Sequence, residues 1–121
     1  MIPKFRAWDK INERIVEVSE INFWTKIIDT TDTFLAFSNI ELLQSTGLLD
    51  KNGKQIYEGD IVKHDPVLNP YISDKYFEII QARSGEWRMD NYRGGQVLAF
   101  SNHEVEVVGN KYQHPHLLEE E

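Results

Sequence analysis

No cysteine occurs among the 121 residues, which excludes a disulfide framework, a thiolate nucleophile and any cysteine-based zinc site, and suits a reducing cytosol. Long apolar runs are missing as well. No stretch approaches the roughly 18 consecutive apolar residues of a membrane helix, and the start, Met1-Ile2-Pro3-Lys4-Phe5-Arg6, lacks the apolar core of a signal peptide. A cytoplasmic protein without membrane association is the expectation. Basic clusters are also scarce: the formal charge of −7 divides as +2 over residues 1–14, −5 over 15–73, zero over 74–93 and −4 over 94–121. An acidic chain repels phosphate at long range, which works against nucleic acid as a partner. There is no Gly-x-Ser-x-Gly element for a serine nucleophile, and Gly94-Gly95 lacks the further glycines and lysine of the nucleotide-binding fingerprints. No helical period of useful length is found either.

What is present is globular. Hydrophobic residues make up 40% and charged residues 27%, enough apolar content for a core in a chain the size of one domain, so a single domain over residues 1–121 is expected. Lys4 to Trp8 alternates with a period of two, Asp9 to Glu13 reads as a turn, and Arg14 to Val18 returns as a β-branched strand, an N-terminal hairpin. Ile21 to Ile28 reads as one β-rich run closed by the polar loop Asp29 to Thr33, after which Phe34 to Phe37 resumes a strand. The short run Ile40 to Gln44 leans toward strand. Asn52-Gly53, which accepts positive φ, marks a turn, and Gly59 interrupts the strand Ile56 to Lys63 at a bulge or sharp bend. Val67 to Asp74 is a loop constrained by Pro66 and Pro70; Tyr76 to Ile80 and Glu86 to Met89 pair through Ser84-Gly85, with Arg93-Gly94-Gly95 as the next turn. The last strand is His103 to Val108. Short strands with frequent turn signals predict an all-β sandwich or barrel with little or no helix.

Several groups of residues invite a chemical reading. Glu58 and Asp60 sit two apart on a predicted strand, which would place both carboxylates on one face as acid and base or as a metal pair. With Gly59 between them, a structural role is preferred: accepting backbone N–H groups at a bend, near the Asn52-Gly53 turn or the Thr46-Gly47 corner. Glu104 and Glu106 repeat the spacing and read as the solvent face opposite Val105 and Val107. Among the histidines His64, His103, His114 and His116, only His114-Pro115-His116 brings two imidazoles together, and nothing completes a metal shell at motif spacing. No catalytic, cofactor or metal residue is therefore assigned. Arg83, Trp87, Arg88, Tyr92 and Arg93 interleave bases with aromatics, the composition that lets stacking and phosphate contacts act together on a single strand. Glu86 and Asp90 balance those bases, so an ordinary hairpin with core aromatics is preferred.

One segment goes beyond pattern. Leu43-Gln44-Ser45-Thr46-Gly47-Leu48-Leu49-Asp50-Lys51-Asn52-Gly53-Lys54-Gln55-Ile56-Tyr57-Glu58-Gly59-Asp60-Ile61-Val62-Lys63 resembles the signature of the YopX family of phage and prophage proteins. The matching signature positions are Thr46, Gly47, Asp50, Gly53, Tyr57, Glu58, Gly59 and Asp60. Lys4 to Lys10 at the start, and Glu106 to Tyr112 with Pro115 and Leu117-Leu118 at the end, agree with it. The resemblance implies a β-rich domain with an SH3-like, partly open barrel, a phage or mobile-element setting and no established enzymatic activity, and it supplies no catalytic residues. Two functions from different classes follow. The preferred one is a non-enzymatic accessory or regulatory module binding a protein partner or itself, because 14 aromatic residues exceed what one small core hides. The alternative is a single-strand nucleic-acid module using Arg83, Trp87, Arg88 and Arg93.

Overall fold

A computed structural model of the chain describes residues 4–119. It is mostly β, with 49% of residues in strands and no helix of seven or more residues, as the turn spacing and the resemblance predicted. Two compact units are distinguished, one ending at Ser45 and the other beginning at Thr46.

In the first unit, β1 (Phe5–Asp9) pairs antiparallel with β2 (Arg14–Glu17) on one side and with the first half of β6 (Ile40–Leu49) on the other. β3 (Glu20–Asn22), β4 (Ile27–Asp29) and β5 (Phe34–Ala36) form a second antiparallel sheet in that order. Ala7, Val16, Ile28 and Ile40 are buried together, with Ile21, Leu35 and Phe37 packed against them. The predicted N-terminal hairpin is present because Asp9 is fully buried and its carboxylate accepts from the backbone N–H of Ile11 (3.0 Å) and of Asn12 (3.2 Å). The side chains of Asn12 and Arg14 also reach it, at 3.0 and 3.4 Å. The Asn12 amide leads the interactions that hold this carboxyl below its ordinary 3.8, against the opposing effect of burial.

The expected single strand from Ile21 to Ile28 is instead the β3–β4 hairpin. Its composition is β-rich, but the Asn22 Oδ1 accepts from the N–H of Trp24 (3.0 Å) and of Thr25 (3.1 Å), and Lys26 adopts φ 59°. A short polar side chain that captures the following amides outcompetes the ladder for them.

In the second unit the later half of β6 lies beside β7 (Gln55–Tyr57), and β8 (Asp60–His64), β9 (Tyr76–Gln81), β10 (Trp87–Asn91), β11 (Gly94–Val97) and β12 (Val105–Asn110) form an open antiparallel sheet ordered β11-β10-β9-β8-β12. Ile56, Val62, Phe77, Ile79, Met89, Leu98 and Val105 make its core, against which Trp87 and Val107 pack. Gly94 and Gly95 belong to β11 rather than to the turn before it. A Cβ at Gly95 would overlap the Met89 carbonyl and the Asp90 carboxylate, so the glycine serves a close strand approach. The strand expected from His103 begins only at Val105, because Asn102–Glu104 is a 3₁₀ turn.

Candidate functional site

The signature residues build a corner. Asp50, 5% exposed, places Oδ1 at 2.9 Å from the backbone nitrogens of both Asn52 and Lys54, and Oδ2 at 2.9 Å from that of Val107. Gly53 adopts φ 81° between them. The Thr46 hydroxyl donates to the Ile56 carbonyl at 2.8 Å and accepts from the Leu48 N–H at 3.1 Å. Gly59, at φ 84°, donates to the Ile79 carbonyl and accepts from the Lys111 N–H, both at 2.9 Å. Asp60 is 2% exposed and its Oδ2 accepts from the Tyr57 N–H at 2.8 Å. The expected backbone-accepting role therefore falls to Asp60 at its own bend, whereas the carboxylate that serves the Asn52-Gly53 turn is Asp50. Tyr57 is buried and Glu58 partly exposed.

The arginine and aromatic group does not form one face. Trp87 packs on the core, and the alternation of β10 turns Arg88 to the opposite side, where its Nη2 lies 3.2 Å from Asp90. Asp90 leads the effects that raise the Arg88 pKa. Arg93 Nη1 lies 3.0 Å from Asp74, and its guanidinium sits 5.5 Å from the centre of the Tyr92 ring. Arg83 is exposed in the turn between β9 and β10. At the other end, His114 Nδ1 accepts from the Asn110 N–H at 3.1 Å, its ring lies against Gly109, and His116 stands 6.3 Å away, centre to centre. Among the described residues no group of three or more histidine, aspartate and glutamate side chains is arranged to hold a metal ion.

A polar cluster that sequence reasoning missed lies inside the second unit. Glu104, expected on the solvent face, is only 7% exposed. It sits in the 3₁₀ turn, one residue before the alternation of β12 begins, so its side chain does not follow the strand's phase. Its Oε1 is 3.0 Å from Nε2 of His64, whose side chain is fully buried, and 3.2 Å from the Asn69 amide. His103 approaches the other oxygen at 3.7 Å. Burial pushes the Glu104 carboxyl up, but the hydrogen bonds from His64 and Asn69, the charge of His64 and a bond from Ser101 together hold it below its ordinary value. The second ring nitrogen of His64, Nδ1, is buried without a hydrogen-bond partner. Two clefts of about 170 and 370 Å³ border His64; the larger is lined by Lys63, Pro66, Ser73, Asp74 and Lys75. The only sequence signal for this pairing would have been a turn ending at Glu104, and Ser101-Asn102 carries that signal weakly.

The first unit offers a different surface. In register, Ile21, Ile28 and Leu35 share the face turned to the core, so Glu20, Asn22, Ile27, Asp29, Phe34 and Ala36 share the outer one. On that side Phe34 is 71% exposed; in the β3–β4 turn Trp24 is 95% exposed, and Phe23, 72% exposed, meets the Phe37 ring edge-on at 5.9 Å between centres. A cleft of about 650 Å³ is lined by Phe5, Glu17, Val18, Glu20, Ile21 and Phe23, among others. Glu20 and Asp29 stand directly opposite each other. Among the described residues neither these two nor Glu17 has an ion-pair partner within 4.0 Å.

No helix among the described residues is long and apolar enough to cross a membrane. The structure resembles the crystal structure of protein EF1440 from Enterococcus faecalis, with a TM-score of 0.72 and 28% sequence identity over 98% of this chain and 99% of that one. No curated protein matches the sequence. The family described as YopX protein matches residues 4–119, spanning both units and the whole of the signature, and the chain belongs to the YopX family.

Proposed function

We propose that the protein is a non-enzymatic, cytosolic accessory module of a phage or mobile element that binds another polypeptide, through the outer face of the β3–β5 sheet. The observation that supports this reading is the combination, on one small face, of exposed apolar groups with acids that lack counter-charges. The solvent face of an antiparallel sheet is ordinarily polar; here Ile27, Phe34 and Ala36 supply half of it, and the β3–β4 turn exposes Trp24. Like charges directly opposite across a sheet are destabilising. The Glu20–Asp29 pair is therefore relieved by a basic residue from outside. The partner that fits is a segment carrying a Lys or Arg flanked by apolar side chains.

Selection of displayed random peptides on the purified protein tests this. Enriched sequences should pair a basic residue with apolar neighbours, shift the amide resonances of residues 20–36, and lose binding in Trp24→Ser and Glu20→Lys without a fall in melting temperature. Peptides that map elsewhere, or the absence of any saturable peptide, would overturn the proposal. So would concentration-dependent dimerisation abolished by Trp24→Ser, since a second copy would then occupy the face.

A further inference from the structure

Affinity between polypeptides is concentrated in a few side chains that fill pockets, and Glu20 of the β3–β5 sheet borders the cleft in the first unit. The core of that unit is open at one end. In register, Ala7 stands opposite Val16, and the next positions on the same face of those two strands are Phe5 and Val18. The Val18 N–H donates to the Phe5 carbonyl at 3.3 Å, which carries the pairing one step past the end of β2. Ala7 and Val16 are buried, and Val18 and Ile21 pack against that cluster. Phe5, Val18 and Ile21 are themselves only half-buried, so the apolar row continues outward from the core without being closed over.

Among the described residues, Phe5, Val18, Ile21 and Phe23 give the cleft of about 650 Å³ an apolar lining. Its size falls within the roughly 300–1,000 Å³ of sites that enclose a small ligand. Phe23 is steadied by its edge contact with Phe37, which packs on the same core. Lys4 and Glu17, also at the border, carry opposite charges and leave Glu20 to set the sign. Glu20 has no ion-pair partner within 4.0 Å among the described residues and stands opposite Asp29, which has none either. An apolar recess whose border carries an uncompensated carboxylate fits an apolar group with a cation close to it.

We infer that this cleft is the anchor pocket of the polypeptide site: it takes one large apolar side chain, aromatic by preference, from the partner segment, while the segment's Lys or Arg lies at the Glu20–Asp29 pair. The inference rests on the polypeptide-binding reading above and adds the side chain that discriminates among basic segments. An aromatic ring removes about 150–250 Å² from water at the cost of ordering only two torsions, and Phe5 and Phe23 offer it ring edges and faces. A segment whose basic residue is flanked by small side chains leaves the recess wet and binds less tightly.

Indole, which carries the apolar group without a charge, is the first probe, and the peptides enriched by display are the second. In methyl-labelled protein, indole should bind saturably and move the methyl signals of Val18 and Ile21, leaving those of Ile79 and Val105 in the second unit's core in place. Enriched peptides should move the same two residues, lose about tenfold or more in affinity when their largest apolar residue is replaced by Ala, and be displaced by indole. Val18→Phe, which fills the cleft from its floor, should weaken the peptides by a similar factor; competition by indole on the parent protein decides the matter if that variant fails to fold. Trp24→Ser, which alters the turn and not the cleft lining, should leave indole binding unchanged. Peptides that bind through residues 20–36 without moving Val18, and that indole does not displace, would overturn the anchor pocket and leave the polypeptide reading standing. The absence of any saturable peptide would overturn both, whether or not indole binds.

Discussion

The corner at residues 46–60 and the polar cluster at residues 64–104 both bury carboxylates, yet they use them in opposite ways. At the corner, Asp50 and Asp60 face backbone N–H groups exposed by tight reversals at Gly53 and Gly59. A reversal removes amides from their ladder, and a fixed carboxylate is the strongest uncharged-donor acceptor available to replace it. In the cluster, Glu104 faces side chains, and one of them has bonding capacity left over. A saturated buried network is held by every one of its bonds, whereas one with an unpaired member carries a desolvation cost. The signature that identifies the family is thus concentrated in scaffolding, and the unpaired atom lies downstream of it.

Three substitutions sharpen that contrast. The largest effect is expected from Asp50→Ala, which strands the N–H groups of Asn52, Lys54 and Val107 together and should cost about 3 kcal/mol or more, read as a lowered denaturant midpoint. Asp60→Ala removes the acceptor of the Tyr57 N–H and should cost about 1–3 kcal/mol. If either variant were as stable as the parent protein, the corner would not depend on its carboxylates.

Glu104→Gln should be the mildest at neutral pH, about 1 kcal/mol, because an amide oxygen still accepts from Asn69 and His64. Its signature is in the pH profile. The folded-state carboxyl is held below the ordinary 4.5, so the unfolded chain binds its proton first as pH falls. The associated stability is complete above 4.5 and is lost as pH drops through the lower folded value. Chemical denaturation between about pH 5 and 3 should therefore show a shallower loss of stability in Glu104→Gln than in the parent. Parallel profiles would mean that the cluster does not hold Glu104 ionised.

Much of the fold was legible in residue order. The β1–β2 hairpin, the Asn52-Gly53 turn, the bend at Gly59 and the pairing of β9 with β10 through Ser84-Gly85 all follow from local signals, because a turn is decided by a few adjacent residues. Three boundaries were misplaced, each by a competing local interaction. Asn22 captured the amides of an apparent strand, Gly95 was needed for strand approach rather than for a turn, and a 3₁₀ turn at 102–104 delayed the start of β12. That delay of two residues takes Glu104 out of the strand's alternation, and its side chain lies in the interior instead of on the expected solvent face.

By itself the amino-acid sequence determined the fold class, the family and the main reversals, since strand alternation and turn chemistry act over a few residues and the signature is contiguous. Tertiary structure alone decided which carboxylate serves which turn, that Arg88 and Arg93 are bound to Asp90 and Asp74, and that His64 meets Glu104 across 40 positions of sequence. Such pairings depend on strand register and on the path of the loops between strands. A one-residue change in either turns a side chain to the other face.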